Sequence, residues 1–173
     1  LDPMFAVLGP QAANYRLTGK VKPRTGSRST NAAPRNAYRC KDGRYVGLSA
    51  STQKMAERVF RSIGRADLVD NPRYRTNADR VRHAEDLDAI IGAFVAERTQ
   101  AENVAFFERA EVTIGPIYDI SQIVEDPHVR ARELIADYPD PEMGAFPMHH
   151  VVPRLAGTPG AIRTPAPRLG EHN

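Results

Sequence analysis

Through the middle of the chain, apolar residues recur at spacings of three and four. Leu87, Ile90, Ile91, Phe94 and Val95 fall on one stripe, which predicts a single long helix from Asn77 to Arg98. Met55, Val59, Phe60 and Ile63 predict an earlier helix, capped by Ser51 or Thr52 and stopped at Gly64. Thr99 and Glu102 form a capping-box pattern ahead of Val104, Phe107 and Ala110, and Asp119 and Gln122 repeat it ahead of Ile123 and Val124. Asp126-Pro127 reads as a cap followed by proline at the first helical position. Strand signals are fewer. Tyr45, Val46 and Leu48 follow an Asp42-Gly43 turn pair, whose two central positions both accept positive φ, so a hairpin is predicted over Ala37 to Ser49. Leu134 to Tyr138 predicts a further strand, with a short one near Ala145 to Met148; the prolines beyond 139 exclude central-strand roles for much of the rest. Met4, Phe5, Val7 and Leu8 mark a short helical segment within 3–18 that needs something to dock on. Residues 18–34 carry loop signals throughout. The order is loop, hairpin, helices, short strand and extended tail, an α+β arrangement of a small antiparallel sheet with several helices.

The length of 173 residues suits one domain with trailing segments, and 41% hydrophobic and 26% charged residues suit a water-soluble globular chain. A net charge of +3 fits small anionic ligands and argues against nucleic acid as a partner. The single cysteine, Cys40, excludes an internal disulfide and favours a reducing, cytoplasmic setting. No apolar run approaches the ~18 residues of a membrane span, so no membrane partner is expected. The sequence starts on Leu1 rather than methionine, which implies that residues precede it in a longer protein.

Few side chains offer chemistry. The basic loop LTGKVKPRTGSRSTNAAPRN holds Lys20, Lys22, Arg24, Arg28 and Arg35 with Gly19 and Gly26 between them, a composition that suits phosphates or carboxylates. Arg24, Gly26, Ser27 and Arg28 are the candidate substrate-binding residues. Arg73, Arg75, Arg80 and Arg82 read as surface partners of Asp79, Glu85 and Asp86 at helical spacing. His149-His150 alternate sides in a strand and do not suggest a metal site. Cys40 has no nearby histidine to activate it, and Asp42 is explained by turn chemistry. Residues 108 and 111, 137 and 140, and 171 supply carboxylates outside any recognisable catalytic motif.

The string YRCKDGRYVGLSA resembles the strand entry of the small domain in family III CoA-transferases (CaiB/BaiF-like, the group of formyl-CoA transferase and carnitine CoA-transferase). The likeness continues through IGRADLVDNPRYRTNADRVRHAEDL and TIGPIYDISQIVEDPHVRARELI to TPAPRLGEHN, over about residues 20–173. The resemblance implies the C-terminal part of a two-domain enzyme that moves CoA between carboxylic acids. Its nucleophilic aspartate lies in a large domain with no counterpart here, so no catalytic residue is assigned and the piece alone is expected to be inactive. The implied substrates are a coenzyme A thioester and a carboxylic acid, without metal; the implied partner is a second copy in a homodimer or the missing N-terminal half. On this reading residues 1–34 are a linker and the end of a large-domain element, 35–140 the small α+β domain, and 141–173 an extended tail whose segment 165–170 returns towards the large domain. Two alternatives stand beside it. One is a related α-methylacyl-CoA racemase, disfavoured because Ser51, Thr52 and Gln53 stand where a Glu-Pro pair would follow the strand. The other is a non-catalytic binding module docking through Met4, Phe5, Val7 and Leu8.

Overall fold

A computed structural model describes residues 2–164 and 166–171. It divides into two compact units, Leu1–Ile117 and Tyr118–Asn173. The first holds helices α1 (Asp2–Val7), α2 (Gln11–Thr18), α3 (Gln53–Ser62), α4 (Asp67–Asp70), α5 (Asn77–Arg82), α6 (Ala84–Ala96) and α7 (Gln100–Arg109), with strands β1 (Arg35–Arg39), β2 (Tyr45–Ser49) and β3 (Ile114–Ile117). The second holds α8 (Ile120–Glu125), α9 (Pro127–Ala131), β4 (Ile135–Asp140) and β5 (Gly144–His149).

The three-stranded antiparallel sheet runs β1-β2-β3, with Tyr38 opposite Val46 and Val46 opposite Pro116. Tyr38, Val46 and Leu48 point to one face and are buried there with Val59, Phe60, Leu87, Ile91, Val95 and Phe107. Helix α6 lies over β1, and α7 over β2 and β3. Alternation along the strands and the three-four stripe on the helices thus meet in one core.

The expected α+β class holds, and so do the caps. Met55 donates its backbone N–H to Thr52 Oγ1 at 3.3 Å. Thr99 and Glu102 form a reciprocal box, as do Asp119 and Gln122. Asp126 Oδ1 accepts from the N–H groups of His128 and Val129. Gly64, at φ 74°, ends α3, and the Arg65 N–H returns to the Phe60 carbonyl at 2.8 Å.

Three expectations change, and one strand appears that the sequence did not announce. The long helix over 77–98 is two helices, broken at His83, whose ψ of 30° leaves the helical region. Periodicity does not register the break, because the buried positions Arg80, Ala84, Leu87, Ile91 and Val95 keep spacings of three and four across it. Arg80 is fully buried instead of sitting at the surface, and no carboxylate pairs with it among the described residues. In the β1-β2 turn only Gly43 takes positive φ, at 81°; Gly43 N–H donates to the Cys40 carbonyl, and Asp42 keeps negative φ. Strand β3 carries Gly115-Pro116 and has no strand signature of its own; it forms by pairing along β2, where an edge position tolerates the proline.

In the second unit, β4 and β5 pair antiparallel from Ile135–His149 to Asp140–Gly144, with Pro139 and Pro147 accommodated because each strand has one free edge. This hairpin joins residues on both sides of 140, the expected limit of the small domain, while the boundary between compact units falls at 117/118. Of the expected returning segment 165–170, Pro165 lies outside the described residues.

Candidate functional site

The loop between α2 and β1 contains the four candidate binding residues. A turn closes at 25–28: the Arg28 N–H donates to the Thr25 carbonyl at 3.2 Å and Thr25 Oγ1 donates to the Arg28 carbonyl at 2.9 Å. Gly26 occupies that turn at φ 60°.

The turn is fastened to β1 and α6 through Asp88. Arg28 Nε donates to Asp88 Oδ2 at 2.7 Å, Asn36 Nδ2 to the same oxygen at 2.9 Å, and the Tyr38 hydroxyl to Oδ1 at 2.7 Å. Arg28 Nη1 also reaches Glu85 at 3.2 Å. Ser27 Oγ donates to Asn36 Oδ1 at 2.6 Å. The bond to Asp88 raises the pKa of the Arg28 guanidinium. Burial first, and the Asp88 charge second, raise that of the Tyr38 phenol.

The rest of the loop is fastened by α5. Asn77 Nδ2 donates to the Asn31 carbonyl at 2.9 Å, and Asn77 Oδ1 accepts from Ala33 N–H at 3.3 Å. Arg80 Nε donates to the Ala33 carbonyl at 2.6 Å, and its Nη1 to Gln53 Oε1 at 2.8 Å and the Tyr74 carbonyl at 3.1 Å. Burial lowers the pKa of this guanidinium. What reads in sequence as a loose connector is therefore pinned at both ends of 27–33.

A cleft of ≈ 340 Å³ lies between this loop (Arg28, Ser29, Thr30) and the α5–α6 junction (Arg82, His83, Asp86). Its arginines are already matched: Arg28 by Asp88 and Glu85, Arg82 by Asp79 at 3.2 Å. Arg73, nearby, pairs with Asp86. The cleft therefore has little free positive charge for an anion. Further up the loop, Lys20, Lys22 and Arg24 are exposed and make no ion pair among the described residues. Lys20 and Lys22 edge a groove of ≈ 660 Å³ whose other walls include Val7, Leu8, Tyr15 and Pro23. The structure thus separates the four candidates. Arg24 presents a free cation, whereas Gly26, Ser27 and Arg28 shape and anchor the loop. Sequence composition placed the basic residues in one loop, but only the position of Asp88, sixty residues on, tells the free ones from the matched ones.

Asp88 is the carboxylate one would examine for covalent chemistry, since its side chain is only 13% exposed. Both of its oxygens are taken by donors. Cys40 is buried, burial raises its thiol pKa, and Asn103 Nδ2 donates to Sγ at 3.5 Å, an environment without nucleophilic activation. Among the described residues no cluster of three His, Cys, Asp or Glu side chains could hold a metal ion, and no helix is long and apolar enough to cross a membrane.

The model of CoA-transferase family III matches residues 1–173. The chain belongs to that family. It is 33% identical over 170 residues to a succinyl-CoA–D-citramalate CoA-transferase of Chloroflexus aurantiacus, covering 98% of this chain and 42% of the relative. It is 32% identical to the beta subunit of a succinyl-CoA–L-malate CoA-transferase from the same organism, covering 91% and 40%. Among solved structures it is similar to a CAIB/BAIF family protein from Brucella suis, at 26% identity and a TM-score of 0.80, over 99% of this chain and 44% of that one. The chain thus spans about two fifths of the curated relatives it matches. Family membership agrees with the resemblance carried by the hairpin and the helical segments after it.

Proposed function

We propose that this chain is the C-terminal portion of a CoA-transferase that moves CoA between carboxylic acids, and that it depends on residues outside it for the nucleophilic carboxylate. The observation that carries the reading is the family match over the whole chain combined with coverage of only 42% of the first relative. The occupied oxygens of Asp88 support the second half of it. A carboxylate must be free to attack a thioester carbonyl, and one holding three donors is not. In this reading the substrates are a CoA thioester and a carboxylic acid. Lys20, Lys22 and Arg24 meet ligand phosphate or carboxylate, while Gly26, Ser27 and Arg28 hold the loop that carries them. The missing part is supplied by a longer form of the chain or by a partner in a dimer, in the cytoplasm. The relatives' names, with succinyl-CoA, citramalate and malate, make dicarboxylic acids the first class to test.

The test is transfer from succinyl-CoA to citramalate, malate or glutarate, followed by chromatography of the thioesters. The expectation is no turnover by the 173-residue chain and turnover once the upstream coding region is joined to it. Turnover by the 173-residue chain would overturn the missing-nucleophile argument. Failure of the extended protein to transfer CoA between any pair of acids would overturn the transferase reading.

A further inference from the structure

Asp42-Gly43 plays no part in the proposed function, yet it is the one Asp-Gly pair in the sequence. Such a pair is open to spontaneous isoaspartate formation, because glycine has no side chain to shield its nitrogen. In that reaction the Gly43 nitrogen bonds to Cγ of the Asp42 carboxylic acid, and the amide proton leaves with the carboxyl OH as water. Water then opens the five-membered succinimide at either carbonyl, which restores aspartate or leaves isoaspartate. One water is released and one consumed, so no co-reactant is needed. Asp42 is exposed and Gly43 half-buried, so solvent reaches the pair.

The fold opposes each movement that ring closure needs. The Gly43 nitrogen must be free, but its N–H donates to the Cys40 carbonyl at 3.0 Å. The backbone at Asp42 must turn, but the Cys40 N–H donates to the Arg44 carbonyl at 2.8 Å and closes the hairpin around it. The Asp42 side chain must turn as well, and both of its oxygens are held. Oδ1 accepts from the Arg44 N–H at 3.3 Å, and Oδ2 from the Gln100 N–H at 3.2 Å. Gln100 is the first residue of α7, so the second bond is a tertiary one. The same junction grips the turn elsewhere. The Lys41 N–H donates to the Arg98 carbonyl at 2.8 Å, and Gln100 Nε2 to the Tyr45 carbonyl at 2.6 Å. We propose that the docking of α7 on the β1-β2 turn blocks isoaspartate formation at Asp42-Gly43, with the Gln100 N–H immobilising the carboxylate. Isoaspartate would insert Cβ into the main chain and move the carboxylate away from α7, so the modification and the docking exclude one another. The inference does not depend on the transferase reading, because it requires neither CoA nor residues outside the chain.

The experiment is a long incubation of the 173-residue chain at neutral pH beside a synthetic peptide of residues 37–47, with isoaspartate at position 42 quantified by peptide mapping. The chain is expected to isomerise at least about a hundredfold more slowly than the peptide, since three hydrogen bonds at about fivefold each must open first. Equal rates in chain and peptide would overturn the proposal. A pair of variants then isolates the Gln100 N–H. Position 100 opens α7, where proline is tolerated, and Thr99 already has the extended backbone (φ −66°, ψ 165°) that a following proline requires. Gln100→Pro and Gln100→Ala both lose the side-chain amide, and only the first loses the N–H. Gln100→Pro is expected to isomerise about fivefold faster than Gln100→Ala, the worth of one hydrogen bond. Equal rates in the two variants would overturn the role given to this N–H. The first comparison is read on the unaltered protein, so it decides the proposal even if a variant folds poorly. Loss of transfer activity in a longer form would sink the proposed function and leave this inference standing.

Discussion

Removing the carboxylate at position 88 tests whether the basic loop is anchored or free. Asp88, on α6, ties down two other pieces of chain: the 25–28 turn through Arg28, and strand β1 through Asn36 and Tyr38. Asp88→Ala would leave the Tyr38 hydroxyl, in a residue only 4% exposed, without an acceptor, at a cost of about 1–3 kcal/mol. Asn36 is half-buried and can recover part of its bond from water, so its share is about 1 kcal/mol. The Arg28 side chain is 32% exposed, so screening holds its pair to about 1 kcal/mol. The expected total is about 3–5 kcal/mol, with about 1–3 kcal/mol for Asp88→Asn, which retains one acceptor. The assay is urea unfolding followed by far-ultraviolet circular dichroism, paired with amide hydrogen exchange. Exchange should quicken across 25–36 more than in α7. A cost below about 1 kcal/mol for Asp88→Ala, or unchanged exchange in that loop, would refute the claim that this carboxylate holds it.

Four further outcomes follow from this and other contacts. Tyr38 keeps its proton in the folded state above the ordinary ~10 of a free phenol, so above that pH the unfolded chain binds fewer protons and stability falls by up to about 1.4 kcal/mol per pH unit; Tyr38→Phe should flatten the decline in an alkaline denaturation series. Thr99→Ala removes the acceptor for the Glu102 N–H and should cost about 1 kcal/mol in urea unfolding. Glu133 sits at φ 48° at the end of α9, where glycine carries no steric penalty, so Glu133→Gly should stabilise the chain by about 0.5–1 kcal/mol, less the small loss of its exposed pair with Arg154; a lower melting temperature would contradict this. Arg80→Met should separate packing from hydrogen bonding: the loop loses its tie at the Ala33 carbonyl, and exchange at 31–34 should rise even if global stability changes little.

The elements that the sequence itself determined are those whose causes are local. Thr52, the Thr99–Glu102 and Asp119–Gln122 boxes, and Asp126-Pro127 each satisfy orphan backbone groups within three residues, so reading them requires no partner element. The apolar stripe of α6 and the α+β order are legible for the same reason, since 3.6-residue spacing is a property of one helix. Tertiary structure decided the rest. Glu111 and Glu133 end α7 and α9 in the left-handed conformation that Gly64 marks for α3, and no residue type announces them. Strand β3 is a strand because β2 offers it an edge. Arg80, indistinguishable in sequence from Arg82, is buried because the Ala33 and Tyr74 carbonyls and Gln53 converge on it. Arg24 and Arg28 stand four residues apart in one basic loop, yet among the described residues only the second has an ion-pair partner, since only folding brings Asp88 beside it. A charge in sequence carries its sign; its partner is set by distances that the fold alone creates.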